Sequence, residues 1–149
     1  MTDPRGYPDR PYLAVSAAIV RAGRLLVVRR AKPPAAQVFT FPGGVVEAGE
    51  ALLEAVVREI AEETALAIAP LALAGHREFV ARDEAGRVVR HFVILAFAAR
   101  WVAGEPVLND EIAEARWVTP AELEALATTE GLAEIARAAL TQVEAADRA

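Results

Sequence analysis

Three glutamates near the middle of the 149-residue chain, at positions 59, 62 and 63, are the residues best suited to carry chemistry. If this stretch is helical, positions three and four apart share a face, so the three carboxylates crowd one turn. Like charges at this spacing repel one another and destabilise the helix, and a bound cation removes that penalty. Closely spaced carboxylates that follow a glycine-rich turn suit a hard, oxygen-binding ion such as Mg²⁺. The spacing therefore predicts a divalent metal site at Glu59, Glu62 and Glu63.

The composition excludes several other kinds of chemistry. The chain has no cysteine, so disulfides, thiolate metal sites and a cysteine nucleophile are absent. Its only serine, Ser16, lies in an apolar run without the G-x-S-x-G pattern of serine hydrolases. Its only lysine, Lys32, precedes a proline and cannot form the G-K-[ST] end of a P-loop. The glutamate cluster remains as the main candidate site.

The net negative charge and the lack of long apolar stretches limit the partners and the location that we expect for this protein. A net charge of −5 and a pI of about 5.1 argue against a large nucleic acid as partner. No apolar stretch reaches the roughly 18 residues that a membrane helix needs, and the N-terminus lacks the apolar segment of a signal peptide. We therefore expect a cytoplasmic protein that acts on a small ligand and has no membrane partner.

The elements that must position the glutamates can be read from the apolar periodicity. One domain is expected over residues 12–149, preceded by a flexible N-terminal arm over residues 1–11. Strands and helices alternate, which predicts an α/β fold. Strands are predicted over residues 12–20, 24–30, 38–41, 66–80, 87–100 and 115–118, and helices over 51–64, from 120, and over 130–146. Loops are predicted over residues 31–37 and 101–110, and turns over 42–44 and 83–86.

The stretch from Gly44 to Leu66 resembles the signature of the Nudix hydrolases. Its glycine, its glutamates, an arginine and two aliphatic residues fall in register with that pattern. The resemblance implies an α/β/α sandwich around a central mixed β-sheet. The chain departs once, because Ala65 stands where the family has glycine. A glycine there ends the helix in a left-handed conformation, which alanine adopts at a cost of about 1 kcal/mol, so we expect a small stability loss and no loss of activity.

The same resemblance implies the metal ligands. Glu59, Glu62 and Glu63 are expected to bind the ion, with the Gly44 carbonyl as a helper. Mg²⁺ or Mn²⁺ is the expected cofactor. Members of the family also recruit a carboxylate from a late loop as a metal ligand or general base, and Glu111 is the best candidate here. Its rivals are Asp110, Glu105 and Glu114.

Other charged residues are expected to support the catalytic group. Arg58 lies four residues before Glu62 and can orient it by a charge-assisted hydrogen bond. Glu50 is expected to pair with Arg58 or to support the metal through water, and Glu47 has a weaker role in the same loop. Whether Glu62 or Glu111 is the general base stays open at this stage.

Three further residues are candidates for contact with the substrate. Arg29 could reach a phosphate, Phe41 could stack on a base, and His91 could reach a phosphate or a ring. Each also has an ordinary structural interpretation, as an exposed arginine, a core aromatic residue or a hydrogen-bonded sheet residue.

The resemblance implies a pyrophosphohydrolase that cleaves a nucleoside diphosphate linked to another group, X, into a nucleoside monophosphate and phospho-X. The expected substrate is either a nucleotide sugar such as ADP-ribose or a nucleoside triphosphate. The alternative is a non-catalytic nucleotide-sensing module with the same fold. A homodimer is a further expectation at the level of the family.

Overall fold

The computed structural model describes residues 4–32 and 37–149, and its elements follow the predicted order with one additional short strand. Residues 33–36, which belong to the loop predicted over 31–37, and residues 1–3 of the predicted arm lie outside the described residues. No helix in the described part of the chain is long and apolar enough to cross a membrane. The elements are β1 Tyr12–Arg21, β2 Arg24–Arg30, β3 Phe39–Thr40, β4 Gly43–Val45, α1 Leu52–Thr64, β5 Ala67–Arg82, β6 Val88–Ala103, β7 Ile112–Val118, α2 Pro120–Glu124 and α3 Leu132–Arg148.

The strands form one mixed sheet, as predicted. Its main path runs β3-β2-β1-β6-β5, while β4 pairs with β1 and β7 pairs with β2. β1 and β6 are parallel, and the other pairs are antiparallel. β1 therefore lies at the centre of the sheet, where it contacts three strands and aligns β4 with β6.

Helices cover both faces of the sheet. Ala17 and Ile19 of β1 pack in a core with α1, whereas Ala18 and Val20 pack in a second core with α2 and α3. Because β1 is buried on both faces, its sequence is a nearly continuous apolar run rather than an alternating one. The α/β sandwich is confirmed, with α1 on one face and α3 on the other.

The turn predicted at residues 42–44 is wrong in part, because Gly43 and Gly44 belong to β4. A Cβ atom on Gly43 would lie 2.0 Å from the carbonyl oxygen of Val15 on the paired strand. Glycine is present because the two backbones approach closely, and not because the chain needs a positive φ angle there. The later loop is also shorter than predicted, since β6 continues to Ala103 and β7 begins at Ile112.

The N-terminal segment contacts the hairpin between β5 and β6. The Tyr7 amide donates to the Val89 carbonyl at 2.8 Å, and the Tyr7 hydroxyl donates to Asp83 at 3.1 Å. The Arg87 guanidinium lies 4.5 Å from the centre of the Tyr7 ring. These contacts fix the position of Tyr7, and the flexibility of residues 1–11 stays a prediction.

β5 and β6 form a long antiparallel ribbon, and β5 is the edge strand of the sheet. Each strand has 16 residues, but their pairing shifts register at four places along β5. Such irregularities bend and twist a strand.

Candidate active site

Helix α1 carries the glutamate cluster. At its start, Glu54 accepts a hydrogen bond from the Ala51 amide at 3.2 Å, which satisfies one of the free amides of the first turn. At its end, Ala65 has φ 67° and its amide donates to the Ala61 carbonyl at 3.0 Å. The left-handed helix end expected from the family pattern is confirmed, although an alanine forms it.

Arg58 lies at the centre of the charged network. Its Nε atom is 2.6 Å from one oxygen of Glu50, and its Nη2 atom is 2.8 Å from the other. Its Nη1 atom donates to Glu59 at 2.9 Å and to Glu62 at 3.1 Å. The predicted pairing with Glu50 and the predicted contact with Glu62 are both present. Glu47 is exposed and lies 4.0 Å from Arg58.

The bidentate pair changes the acid–base properties of both partners. The hydrogen bond from Arg58, aided by the backbone of Glu47, lowers the pKa of Glu50 to about 2. The same hydrogen bond raises the pKa of Arg58 above its ordinary value. Glu50 is therefore an ionised anchor that holds Arg58 in place beside Glu59 and Glu62.

Gly44 provides the space that the Glu59 carboxylate occupies. A Cβ atom on Gly44 would lie 2.2 Å from Oε2 of Glu59. No other residue type fits there without moving the carboxylate, so β4 and α1 meet at this point. The glycine of the motif thus has a steric role in placing a candidate ligand.

Glu63 is the buried member of the cluster, and 6% of it is exposed to solvent. Its Oε1 atom is 2.9 Å from Nη1 of Arg30, but no donor among residues 4–32 and 37–149 makes a well-aligned hydrogen bond to it. Burial raises the pKa of Glu63 to about 7; Arg30 opposes that change and Glu111 adds to it. A buried carboxylate oxygen that has a cation close by but no well-aligned hydrogen bond is incompletely compensated, and a bound cation would compensate it further.

These residues can be tested for their fit to a metal ion. As placed, no three His, Asp or Glu side chains in the described part of the chain are grouped closely enough to hold one. Arg58 and Arg30 neutralise the carboxylates instead. The donor set still fits, because hard carboxylate oxygens suit Mg²⁺ or Mn²⁺ and one of them is buried without a well-aligned hydrogen bond from the described residues.

The loop before β7 is tied to the end of α1 by Asn109. The Asn109 amide group donates to the Glu63 carbonyl at 2.8 Å, and its Oδ1 atom accepts from the Glu111 amide at 2.8 Å. The Val107 amide also donates to the Thr64 carbonyl at 3.0 Å. Asn109 is not predicted from the sequence, where its only signal is its position two residues before a candidate carboxylate.

The four candidate carboxylates of the late loop lie in different parts of the structure. Glu111 and Asp110 line the same cleft as the α1 glutamates. Glu105 instead pairs with Arg21 at 2.9 Å, and Glu114 pairs with Arg29 and Arg116. The structure therefore brings Glu111 towards Glu63, whereas Glu105 and Glu114 are held elsewhere.

The cleft has a volume of about 1480 Å³ and contains most of the predicted site residues. Phe41 lines it, although only 3% of this residue is exposed. Arg29 and His91 are not among the described residues that line the cleft, and their contact with a substrate stays a prediction. Side chains alternate along a strand, so Arg30 faces Glu63 while Arg29 points to the other face of the sheet. Arg90 and Phe92 line the cleft in place of the histidine between them.

Comparisons with known proteins agree with this geometry. The model of the NUDIX domain matches residues 10–139. An ADP-ribose pyrophosphatase from Methanocaldococcus jannaschii is 36% identical over 107 residues, which cover 72% of this chain and 61% of that relative. A Mycobacterium tuberculosis protein with the provisional name 8-oxo-dGTP diphosphatase 2 is 40% identical over 112 residues, or 74% of this chain and 75% of that protein.

A solved structure has the same fold. The crystal structure of a MutT NUDIX hydrolase from Burkholderia pseudomallei superposes with a TM-score of 0.68 and 30% identity, covering 91% of this chain and 99% of that one. The pattern first seen around the glutamate helix thus extends over most of the sequence and over the whole sandwich, and the chain belongs to the Nudix family of hydrolases.

Proposed function

We propose that this protein is a divalent-metal-dependent pyrophosphohydrolase that cleaves a nucleoside diphosphate linked to X into a nucleoside monophosphate and phospho-X. The observation that carries the proposal is Glu63, whose buried Oε1 atom has no well-aligned donor among the described residues, although Arg30 pairs with it, and which lines the same cleft as Glu59 and Glu62. Mg²⁺ or Mn²⁺ held by Glu59, Glu62 and Glu63 would neutralise the charge of the diphosphate and lower the pKa of a bound water.

The protein's own groups have distinct tasks in this reaction. Arg58 holds Glu59 and Glu62 in position through its bond to Glu50, which keeps the carboxylates ordered before substrate binds. Arg30 lines the same cleft and places positive charge where the phosphates enter. Glu62 or Glu111 accepts the proton of the attacking water.

The substrate is proposed at the level of its class. The relatives named above carry the names of an ADP-ribose pyrophosphatase and an 8-oxo-dGTP diphosphatase, and both names describe a nucleoside diphosphate joined to a further group. A nucleotide sugar and a nucleoside triphosphate are therefore the two substrate classes to test. The enzyme is proposed to act in the cytoplasm, as a homodimer, on a small nucleotide.

Turnover separates this proposal from a non-catalytic nucleotide sensor. The measurement is phosphate release from a nucleotide panel with Mg²⁺ or Mn²⁺, coupled to a phosphatase. A sensor would be protected against thermal unfolding by a nucleotide without any release. Metal-dependent phosphate release by the wild-type protein supports the proposal that it is an enzyme.

The Glu62→Gln variant tests the assigned chemistry. It keeps the shape of the side chain but removes its charge, so turnover should fall at least about a hundredfold with an unchanged unfolding temperature. Glu54→Gln on the same helix is the matched control, because glutamine can still accept the capping hydrogen bond from Ala51. Near-normal turnover of Glu62→Gln would show that the assignment is wrong.

A further inference from the structure

The cleft continues from the glutamates across the face of the sheet that carries α3. Its floor follows one row of paired residues: Arg77 of β5 lies opposite Ile94 of β6. Ile94 is paired with Ala14 of β1, which is paired with Val45 of β4, next to Gly44. The whole row lines the cleft. Three strand spacings, on the order of 14 Å, separate Arg77 from β4, which is the scale of a nucleotide lying across the sheet with its diphosphate at β4.

Arg77 stands at the far end of this row. It is half-buried, and it makes no hydrogen bond or ion pair with the residues that the structure describes. Burial lowers the pKa of Arg77, and the charge of Glu130 opposes that change from a distance. A partly desolvated guanidinium with free donors is stabilised by a ligand that supplies acceptors.

The surroundings of Arg77 suit a planar base. Phe79 and Phe92 form the neighbouring cross-strand pair on the same face, two residues along each strand, and both line the cleft. Aromatic side chains in such positions offer a surface on which a base can stack. A base stacked there would turn one edge towards the Arg77 guanidinium.

The donors of Arg77 distinguish between the purines. Guanine presents two acceptors, O6 and N7, on the edge that a guanidinium binds with two parallel hydrogen bonds. Adenine places an amino donor beside its N7, so one of the two hydrogen bonds is lost and a guanidinium N–H would face the amino group instead. We propose that Arg77 binds the O6/N7 edge of guanine and makes this enzyme prefer guanine nucleotides to adenine nucleotides. This inference rests on the proposed function and selects the base within it.

The test uses substrate pairs that differ only in their base. The values of kcat/KM are measured for GTP against ATP and for GDP-ribose against ADP-ribose, with the wild-type protein and with Arg77→Gln. Glutamine pairs with the N6/N7 edge of adenine, so the substitution should lower the guanine-to-adenine ratio on the order of tenfold or more. Arg82→Gln is the matched control, since Arg82 is on the same strand, is exposed and is not among the cleft residues; its ratio should stay that of the wild type.

Each outcome supports the inference or overturns it. A wild-type preference for guanine that Arg77→Gln reduces supports it. A wild-type ratio at or below one overturns it, and so does an equal loss with both bases, which would assign Arg77 to a phosphate. If the wild-type protein releases no phosphate from any nucleotide, the proposed function fails, and the dissociation constants of nonhydrolysable GTP and ATP analogues for the same variants then decide the role of Arg77.

Discussion

Several residues of this site are packed so closely that an added atom would displace a neighbouring side chain. Gly44 and the Glu59 carboxylate occupy adjoining space, and the Arg58 guanidinium contacts three glutamates at once. Small displacements at such contacts matter, because a misplacement of about 1 Å can reduce turnover about a hundredfold.

The Gly44→Ala variant should therefore lose activity without losing its fold. The added methyl group would push the Glu59 carboxylate away from β4, and we expect kcat to fall on the order of a hundredfold. Steady-state kinetics and thermal unfolding of the same preparation measure both effects.

Gly49→Ala is the control for this prediction. Gly49 has φ +85° and open space around its Cα atom, so alanine there strains the backbone without touching Glu59. It should cost about 1 kcal/mol of stability and leave turnover intact. A similar loss of kcat in both variants would contradict the steric role of Gly44.

The charged residues of the motif could be predicted from the sequence because their spacing places them on one helix face. Arg58, Glu50 and the three clustered glutamates lie where that spacing indicated. The choice between Arg29 and Arg30 could not be made, because it depends on which face of β2 is turned to α1. Asn109 could not be predicted because the partner that ties it to the site, the Glu63 carbonyl of α1, lies more than forty residues away in the chain.

At the scale of elements, the end of α1 is the point where the chain departs from the usual motif. Ala65 takes a left-handed conformation that costs an alanine about 1 kcal/mol and costs a glycine little. The side chain of Ala65 is exposed, so its removal leaves no cavity.

Ala65→Gly should accordingly raise the free energy of unfolding by about 0.5 to 1 kcal/mol, with kcat unchanged. Urea unfolding monitored by circular dichroism measures the change. Ala61→Gly, at an exposed position inside α1, is the same substitution in a right-handed helix and should destabilise by about 1 kcal/mol. Loss of stability in both variants would mean that the helix end relaxes without strain.

Elements with a strong apolar period could be predicted closely, and those set by neighbouring strands could not. Helix α1 was predicted over residues 51–64 and spans Leu52–Thr64. The turn predicted over residues 42–44 overlaps the start of β4, because glycine indicates backbone freedom. The glycines are instead required by the close approach of β1, which a local pattern does not report. The end of β6 and the start of β7 likewise extend beyond their predicted limits, because both segments pair with neighbouring strands.

For the molecule as a whole, the buried Glu63 links stability to pH. Its pKa is about 7 in the folded protein against 4.5 in the unfolded chain. The folded state therefore holds a proton that the unfolded state releases, and this stabilisation is present below pH 4.5 and is lost as the pH rises through 7.

A comparison of the wild-type protein with Glu63→Gln should reveal this loss. With a chelator present, the wild type should lose about 2 kcal/mol relative to the variant between about pH 5.5 and 8. Urea unfolding at both pH values measures the difference, and the other titrating groups cancel because both proteins share them. Excess Mg²⁺ at the higher pH should reduce this loss of unfolding free energy in the wild type. If the unfolding free energies of the two proteins change in parallel with pH in the absence of metal, the raised pKa of Glu63 is contradicted.

The irregular pairing of β5 has a consequence for how the protein behaves at high concentration. An edge strand exposes a row of amide and carbonyl groups to which a strand of another molecule can attach, and long flat edges lead to aggregation. The four register shifts along β5 interrupt that row, and the longest stretch between two of them spans residues 75–81. The ribbon is thus 16 residues long, but its longest regular edge is less than half of that length, which shortens the template on which a fibril could grow.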